Sequence, residues 1–296
     1  MILAGATGLL VGLMVAGFET VTHSALEMVL SLPLALRAAF PGLGLLVAVG
    51  CLRLAGRGAT PGSSDEYIRA FHRPRGLGLQ LRDVPLRMLA AVATLGSGGS
   101  LGYEGPSIYA GAALGSSLQR RLHRFFTADD AKVLMVAGAA AGVSAIFKAP
   151  VTGLVFALEV PFQDDLARRM LLPAAISSAA SYVVFAAIAG TTPILPIGGQ
   201  PPFNLVDLGG AAAIGLAAGL LARLYILLMA RAKRLSTGGH LPLRVAGSAA
   251  VIATTVVLGT LLSKDNLILG PGYDALRWSL DPKHALLAIV ALGTLR

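Results

Sequence analysis

The chain has 296 residues, 55% of them hydrophobic and 13% charged, with 36 glycines and a mean hydropathy of +0.74. That balance excludes an ordinary soluble domain and reads as an all-α integral membrane protein. A formal charge of +9 raises nucleic acid as a partner, but aromatics are only 6% and the basic residues lie between apolar segments, where they act as topology signals and lipid-headgroup contacts. Cys51 is the single cysteine, so no intrachain disulfide exists.

Apolar segments run over about 2–34, 41–55, 86–118, 131–162, 170–190, 208–230, 243–263 and 284–296. The first, MILAGATGLLVGLMVAGF, lacks the basic start of a secretory signal and reads as a membrane helix. By the positive-inside bias, the cytoplasmic side is marked by Arg53 and Arg57, by Arg69 to Arg87, by Arg120, Arg121 and Arg124, by Arg168 and Arg169, and by Arg231, Lys233, Arg234 and Arg244. The loop from Gly190 to Asn204 has no Lys or Arg, and that around Lys264 and Asp265 is nearly balanced; both are expected to face outward. Segments 86–118 and 131–162 are basic at both ends, so each must return to the side it left. Re-entrant hairpins of short helices do this where neighbouring protein satisfies their irregular backbone.

The stretch Met88 to Gln119, MLAAVATLGSGGSLGYEGPSIYAGAALGSSLQ, has one charged group, Glu104. As one helix at roughly 1.5 Å per residue it would be about 48 Å long, well beyond a hydrocarbon core of roughly 30 Å. It must break, and Gly96, Gly98, Gly99, Gly102 and Gly105 followed by Pro106 mark where. Proline suits a first helical turn, so a new helix is expected from Gly105-Pro106 through Leu118. Its N-terminus, inside the membrane, offers unpaired N–H groups and the positive pole of the helix dipole to an anion. Glu104 sits immediately before that end and can occupy the site itself, as a tethered gate. An intramembrane carboxylate is costly and usually functional; the bland alternative is a glutamate that only favours a helix start.

Thr60-Pro61-Gly62-Ser63-Ser64-Asp65 is echoed by Leu269-Gly270-Pro271-Gly272-Tyr273-Asp274. The echo is either an internal repeat or a chance recurrence of a Pro-Gly turn. As a repeat it divides a single transmembrane domain, 1–296, into a first unit of about 1–204 and a partial second of about 205–296.

Gly102-Tyr103-Glu104-Gly105-Pro106, followed by Ile108, Gly111 and Gly115, resembles the G-x-E-G-P signature of the CLC chloride channels and chloride/proton antiporters. Gly138-Ala139-Ala140-Ala141-Gly142, with Phe147-Lys148-Ala149-Pro150 and on to Glu159, resembles that family's next block. The resemblance covers roughly residues 60–165. It implies an inverted-repeat bundle of broken half-helices, a gating Glu104, an anion site at the backbone of Gly102, Tyr103, Gly105, Pro106, Ser107 and Ile108, where the amides face the anion, and a homodimer. It also implies a serine on the central anion. Ser63 is the ungapped choice, its neighbours stand one register away, and a plain turn or helix cap before Glu66 is an equal reading.

Two departures bear on function. Where antiporters of the family carry a second acid, directly after the counterpart of Glu159, this chain has Val160, as channels often do. The family's later half-helix and anion-site tyrosine have no counterpart before Arg296, which implies a portion of a longer protein. The expectation is therefore a glutamate-gated anion (chloride) pore in a cell membrane, most simply a bacterial inner membrane. It would be channel-like, with weak or no proton coupling and with no cofactor, metal or nucleic acid. The alternatives are an antiporter or a carrier of fluoride or nitrate. An intramembrane hydrolase built on Gly96-Ser97-Gly98-Gly99-Ser100 lacks a nearby histidine base. Lys148 either adds positive potential to the anion path or snorkels to headgroups.

Overall fold

The computed structural model describes residues 1–56, 60–73, 79–125, 132–161, 168–194, 204–236, 240–281, 283 and 285–296. Helices α1 (Ile2–Leu30), α2 (Leu34–Leu54), α8 (Leu171–Ala189), α9 (Leu205–Ser236) and α10 (Leu241–Ser263) are the long apolar ones, each within a stretch long and apolar enough to cross a bilayer. Between them lie the shorter α3 (Ser63–His72), α4 (Val84–Gly96), α5 (Glu104–Arg121), α6 (Val133–Phe147) and α7 (Pro150–Glu159), and after them α11 (Tyr273–Ser279) and α12 (Leu286–Leu295). The 13 residues of α4 reach only about 20 Å. Segments 86–118 and 131–162 are thus broken into pairs, α4–α5 and α6–α7, as their doubly basic ends require.

The α6–α7 turn is made by Lys148 in the left-handed region, φ 51°, with its N–H bonded to Ala145 O and that of Ala149 to Ser144 O. Glycine is the usual residue there. Here the side chain offsets the strain, its Nζ donating to Ala189 O at 3.1 Å and Thr192 O at 3.3 Å at the far end of α8. Pro150 then opens α7, where its missing N–H costs nothing.

Glycine brings α5 and α6 into direct backbone contact. A Cβ on Gly111 would collide with Gly138 O, one on Gly138 with Gly111 O, and one on Gly142 with Ser107 O. Small residues let membrane helices approach closely enough for dispersion contacts to replace a missing hydrophobic drive. On the other side of α6, Ser144 Oγ donates to Ser178 O and Ser181 Oγ to Ala141 O, both at 2.8 Å. The core accordingly runs through Ile108, Ala112, Val136, Ala139 and Ala140, all 1% exposed or less. Gly138→Val should force α5 and α6 apart and lower the melting temperature in detergent, by overpacking of about 1–3 kcal/mol or more. An unchanged melting temperature would show the contact to be slack.

Three features differ from the sequence expectation. Helix α2 starts at Leu34, not 41, because Pro33 caps it and Arg37, which looks like a boundary charge, folds back to donate to Leu30 O at the end of α1. Pro41 is carried inside α2. Helix α3 escapes hydropathy because only Tyr67, Ala70 and Phe71 of its ten residues are buried. Helix α5 begins at Glu104, one residue before the expected start, which puts Pro106 third in its first turn. Arg57, Arg75 and the loop residues 195–203 lie outside the described residues.

Candidate anion site

The first helical bond of α5 is Ser107 N–H to Tyr103 O at 3.2 Å. The N–H groups of Glu104 and Gly105 therefore precede the ladder, and Pro106 has none, so the helix presents few but free donors. Ser107 is committed to its own helix, its Oγ also donating to Tyr103 O at 2.8 Å, and Ile108 is buried in the core. This narrows the expected set: the free amides are those of Glu104 and Gly105. Tyr103 is buried and meets Phe18 of α1 edge-on, ring centroids 5.7 Å apart. The Glu104 carboxylate folds back over Gly102, where any Cβ would overlap it. A side chain at Gly102 would displace the carboxylate from this position.

A second helix start meets the first. A Cβ at Gly105 would lie 3.5 Å from Ser64 Oγ and 3.6 Å from Ser63 Cβ. The N-termini of α3 and α5 thus converge, with Gly62, Ser63, Ser64, Gly102, Gly105 and Pro106 lining one cavity of about 630 Å³. Both serines remain adjacent to Gly105, so the one-register alternative stays open. Arg87, Lys233 and Arg244 also line the cavity and give it a positive wall, with Asp65 the acid among its lining residues, 3.2 Å from Lys233. Arg87 and Lys233 are balanced by Glu66 and Asp65, so the two helix dipoles together with Arg244 favour an anion there.

Sequence reasoning missed the brace that holds α3 in place. Glu66 accepts from Arg87 at 2.8 Å and from the Thr60 N–H and hydroxyl at 3.1 and 2.8 Å, while Arg87 also donates to Thr60 O at 3.2 Å. Arg87 stacks over Tyr109, 4.4 Å from its centroid. The only sequence signal was an acid and a base at the margins of apolar segments, and their pairing is set by tertiary contact. With side chains 8% and 14% exposed, removing one partner strands a buried charge. Arg87→Met should lose about 3–5 kcal/mol of stability. Thermal unfolding checks it, with Arg87→Met/Glu66→Gln expected to recover part.

On the other side of Tyr103 lies a second cavity, about 220 Å³, lined by Glu19, His23 and Glu27 of α1, by Lys148, and by Tyr273, Asp274 and Arg277 of α11. At the remaining end of the hairpin, Glu159 is the last residue of α7 and is exposed, whereas Val160 is half-buried against the core.

The chain matches the family model described as voltage gated chloride channel over residues 43–296. The chain belongs to the CLC family. A ClcB-like relative from Ralstonia nicotianae is 25% identical over 249 residues, covering 82% of this chain and 56% of that protein. The H(+)/Cl(-) exchange transporter ClcA of Citrobacter koseri is 32% identical over 118 residues, 40% of this chain and 25% of ClcA. This CLC chain therefore spans about half the length, or less, of these curated relatives. Its fold matches the solved structure of a slow cyanobacterial Cl−/H+ antiporter (TM-score 0.82, 19% identity, 100% of this chain and 71% of that one). It also matches a CLC-type fluoride/proton antiporter (TM-score 0.78, 21% identity, 99% and 73%). The all-helical CLC architecture with its broken helices makes the chain a multi-pass membrane protein.

Proposed function

We propose that the protein moves a small anion, chloride in the first instance, across a bacterial inner membrane through a pathway gated by Glu104. The observation that carries this is the convergence of the α3 and α5 N-termini on one cavity, with the Glu104 carboxylate folded at the α5 start. An anion in the 630 Å³ cavity would meet the free amides of Glu104 and Gly105 and the hydroxyls of Ser63 or Ser64. The amides of Ser107 and Ile108 serve only through the helix dipole. The tethered carboxylate competes for that end, so the path opens when the carboxylate is displaced or protonated.

The positive-inside bias puts the cavity lined by Arg87, Lys233 and Arg244 on the cytoplasmic side and the one lined by Glu19 and His23 outside. Glu104 then separates two aqueous approaches. The repeat reading gains support from the order of elements: α1, α2, a Pro-Gly turn, α3 and α4 recur as α9, α10, a Pro-Gly turn, α11 and α12. Gly62 and Gly272 stand at matching N-caps. A homodimer is the assembly that the family resemblance implies, and an apolar α9 whose side chains from 205 to 234 are all exposed leaves ample surface for protein or lipid.

With Val160 at the coupling position, movement is passive or weakly coupled to protons. The second reading, anion/proton exchange, is favoured by the name of the ClcA relative. Anion efflux from proteoliposomes holding chloride, fluoride or nitrate tests the proposal. Selective efflux is expected, and none with any of the three, from correctly inserted full-length protein, would overturn it.

A further inference from the structure

The second cavity holds a set of titratable groups for which the gate reading has no role. Glu19, His23 and Glu27 recur at every fourth residue of α1, which puts them on one face about 6 Å apart along the axis, and all three line the cavity. Their exposure is graded. The side chains of Glu27 and His23 are 67% and 58% exposed and lie 3.1 Å apart, Glu19 is half-buried, and Tyr103 beyond it is 3% exposed. Phe18 of α1 meets Tyr103 edge-on, which packs α1 against the start of α5, and Glu19 and Tyr103 line the same cavity. Tyr103 lines the cavity, and its hydroxyl has no hydrogen-bond partner among the described residues.

An unneutralised carboxylate halfway down an apolar helix needs a reason. The cations facing it are engaged elsewhere. Lys148 donates to Ala189 O and Thr192 O, and Arg277 pairs with Asp274 at 3.6 Å and donates to Ile194 O at 3.2 Å. Among the described residues Glu19 has no ion pair. Besides those cations, the ionisable groups facing it are His23 and Glu27 on its own helix, Tyr103 and Glu104 from α5, and Tyr273 and Asp274 from α11.

We propose that Glu19, fed by His23, is the outer proton relay to Glu104. A proton arriving from the external solution binds the His23 imidazole, passes to a Glu19 carboxylate oxygen, and crosses the cavity past the Tyr103 hydroxyl to a Glu104 carboxylate oxygen. Each step exchanges one N–H or O–H bond for another, and the net result is one proton moved from outside to the gate. Glu19 acts through Glu104 and so rests on the gate reading.

The test is anion flux in full-length protein reconstituted in vesicles, with external and internal pH varied separately. Glu19→Gln is expected to move the external-pH curve to more acid values by at least about half a unit, roughly a threefold fall in apparent proton affinity. The internal-pH curve should stay in place, and Glu19→Asp should restore the external one. His23→Gln should shift the external curve the same way by a smaller amount. If Glu104→Gln flattens both curves while Glu19→Gln leaves the external one at its wild-type position, the relay is wrong and the gate stands. Equal shifts of both curves in Glu19→Gln would likewise overturn the relay, as a general disturbance. A Glu104→Gln protein with wild-type curves on both sides would remove the gate, and the relay with it.

Discussion

Glu104→Gln is expected to raise anion flux at neutral pH and to abolish its dependence on pH. Glutamine keeps the shape of the side chain and removes its charge, so the α5 start loses its tethered competitor while the fold over Gly102 is kept. In the wild type, acidification protonates the carboxylate and frees the site, so flux should rise as pH falls. Interactions of an anion with a helix end are worth roughly 0.3 to 2 kcal/mol, which sets the gain from removing the competitor at about two- to thirty-fold. Chloride efflux from proteoliposomes across a pH series measures both effects. A glutamine variant that kept the wild-type pH dependence would take the carboxylate out of the mechanism.

The second large effect concerns coupling. A chloride gradient across vesicles of the full-length protein, with voltage clamped by valinomycin, is expected to drive little or no uphill proton movement. Protons from inside need a titratable group at the inner end of the hairpin, and valine cannot titrate. Glu159 is one residue away, which on a helix means about 100° of rotation; it is exposed while Val160 lies half-buried against the core. Uphill proton transport at a fixed ratio would show that another internal donor exists and that Val160 is not decisive.

Much of this arrangement could be read from the chain before any coordinates. Hydropathy located the long helices, and basic residues at both ends of two apolar segments required them to turn back. The glycines around Glu104 located the break, and one of them, Gly98, takes the left-handed backbone (φ 104°) that other residues rarely adopt. What escaped was decided by tertiary contact. Arg37 looks like a boundary until it bonds Leu30 O, and α3 is too short and polar for a hydropathy window, its place depending on Tyr67 OH reaching Ala157 O at 3.0 Å. The Thr60–Glu66–Arg87 brace joins residues up to 27 apart, and no local pattern predicts such pairing. Sequence counting reached Ser63, yet Ser63 and Ser64 both stand beside Gly105, so geometry leaves that pair together.

The glycine contacts between α5 and α6 also bear on how fast the gate can work. Where carbonyl oxygens of one helix rest on α-carbons of the other, neither has a layer of side chains to shear, and sliding would cost backbone overlap along the whole crossing. The frame around the anion path is therefore stiff. Motion at the site is left to torsions of the Glu104 side chain, which swings about its own χ angles while the helix that bears it stays put. Side-chain rotations are fast, picoseconds to nanoseconds where the residue is exposed, and Glu104 is half-buried; collective shifts of helices take microseconds to milliseconds. Gate opening then adds little delay of its own, and the slow step belongs to the arrival of whatever displaces the carboxylate, an anion from one side or a proton from the other.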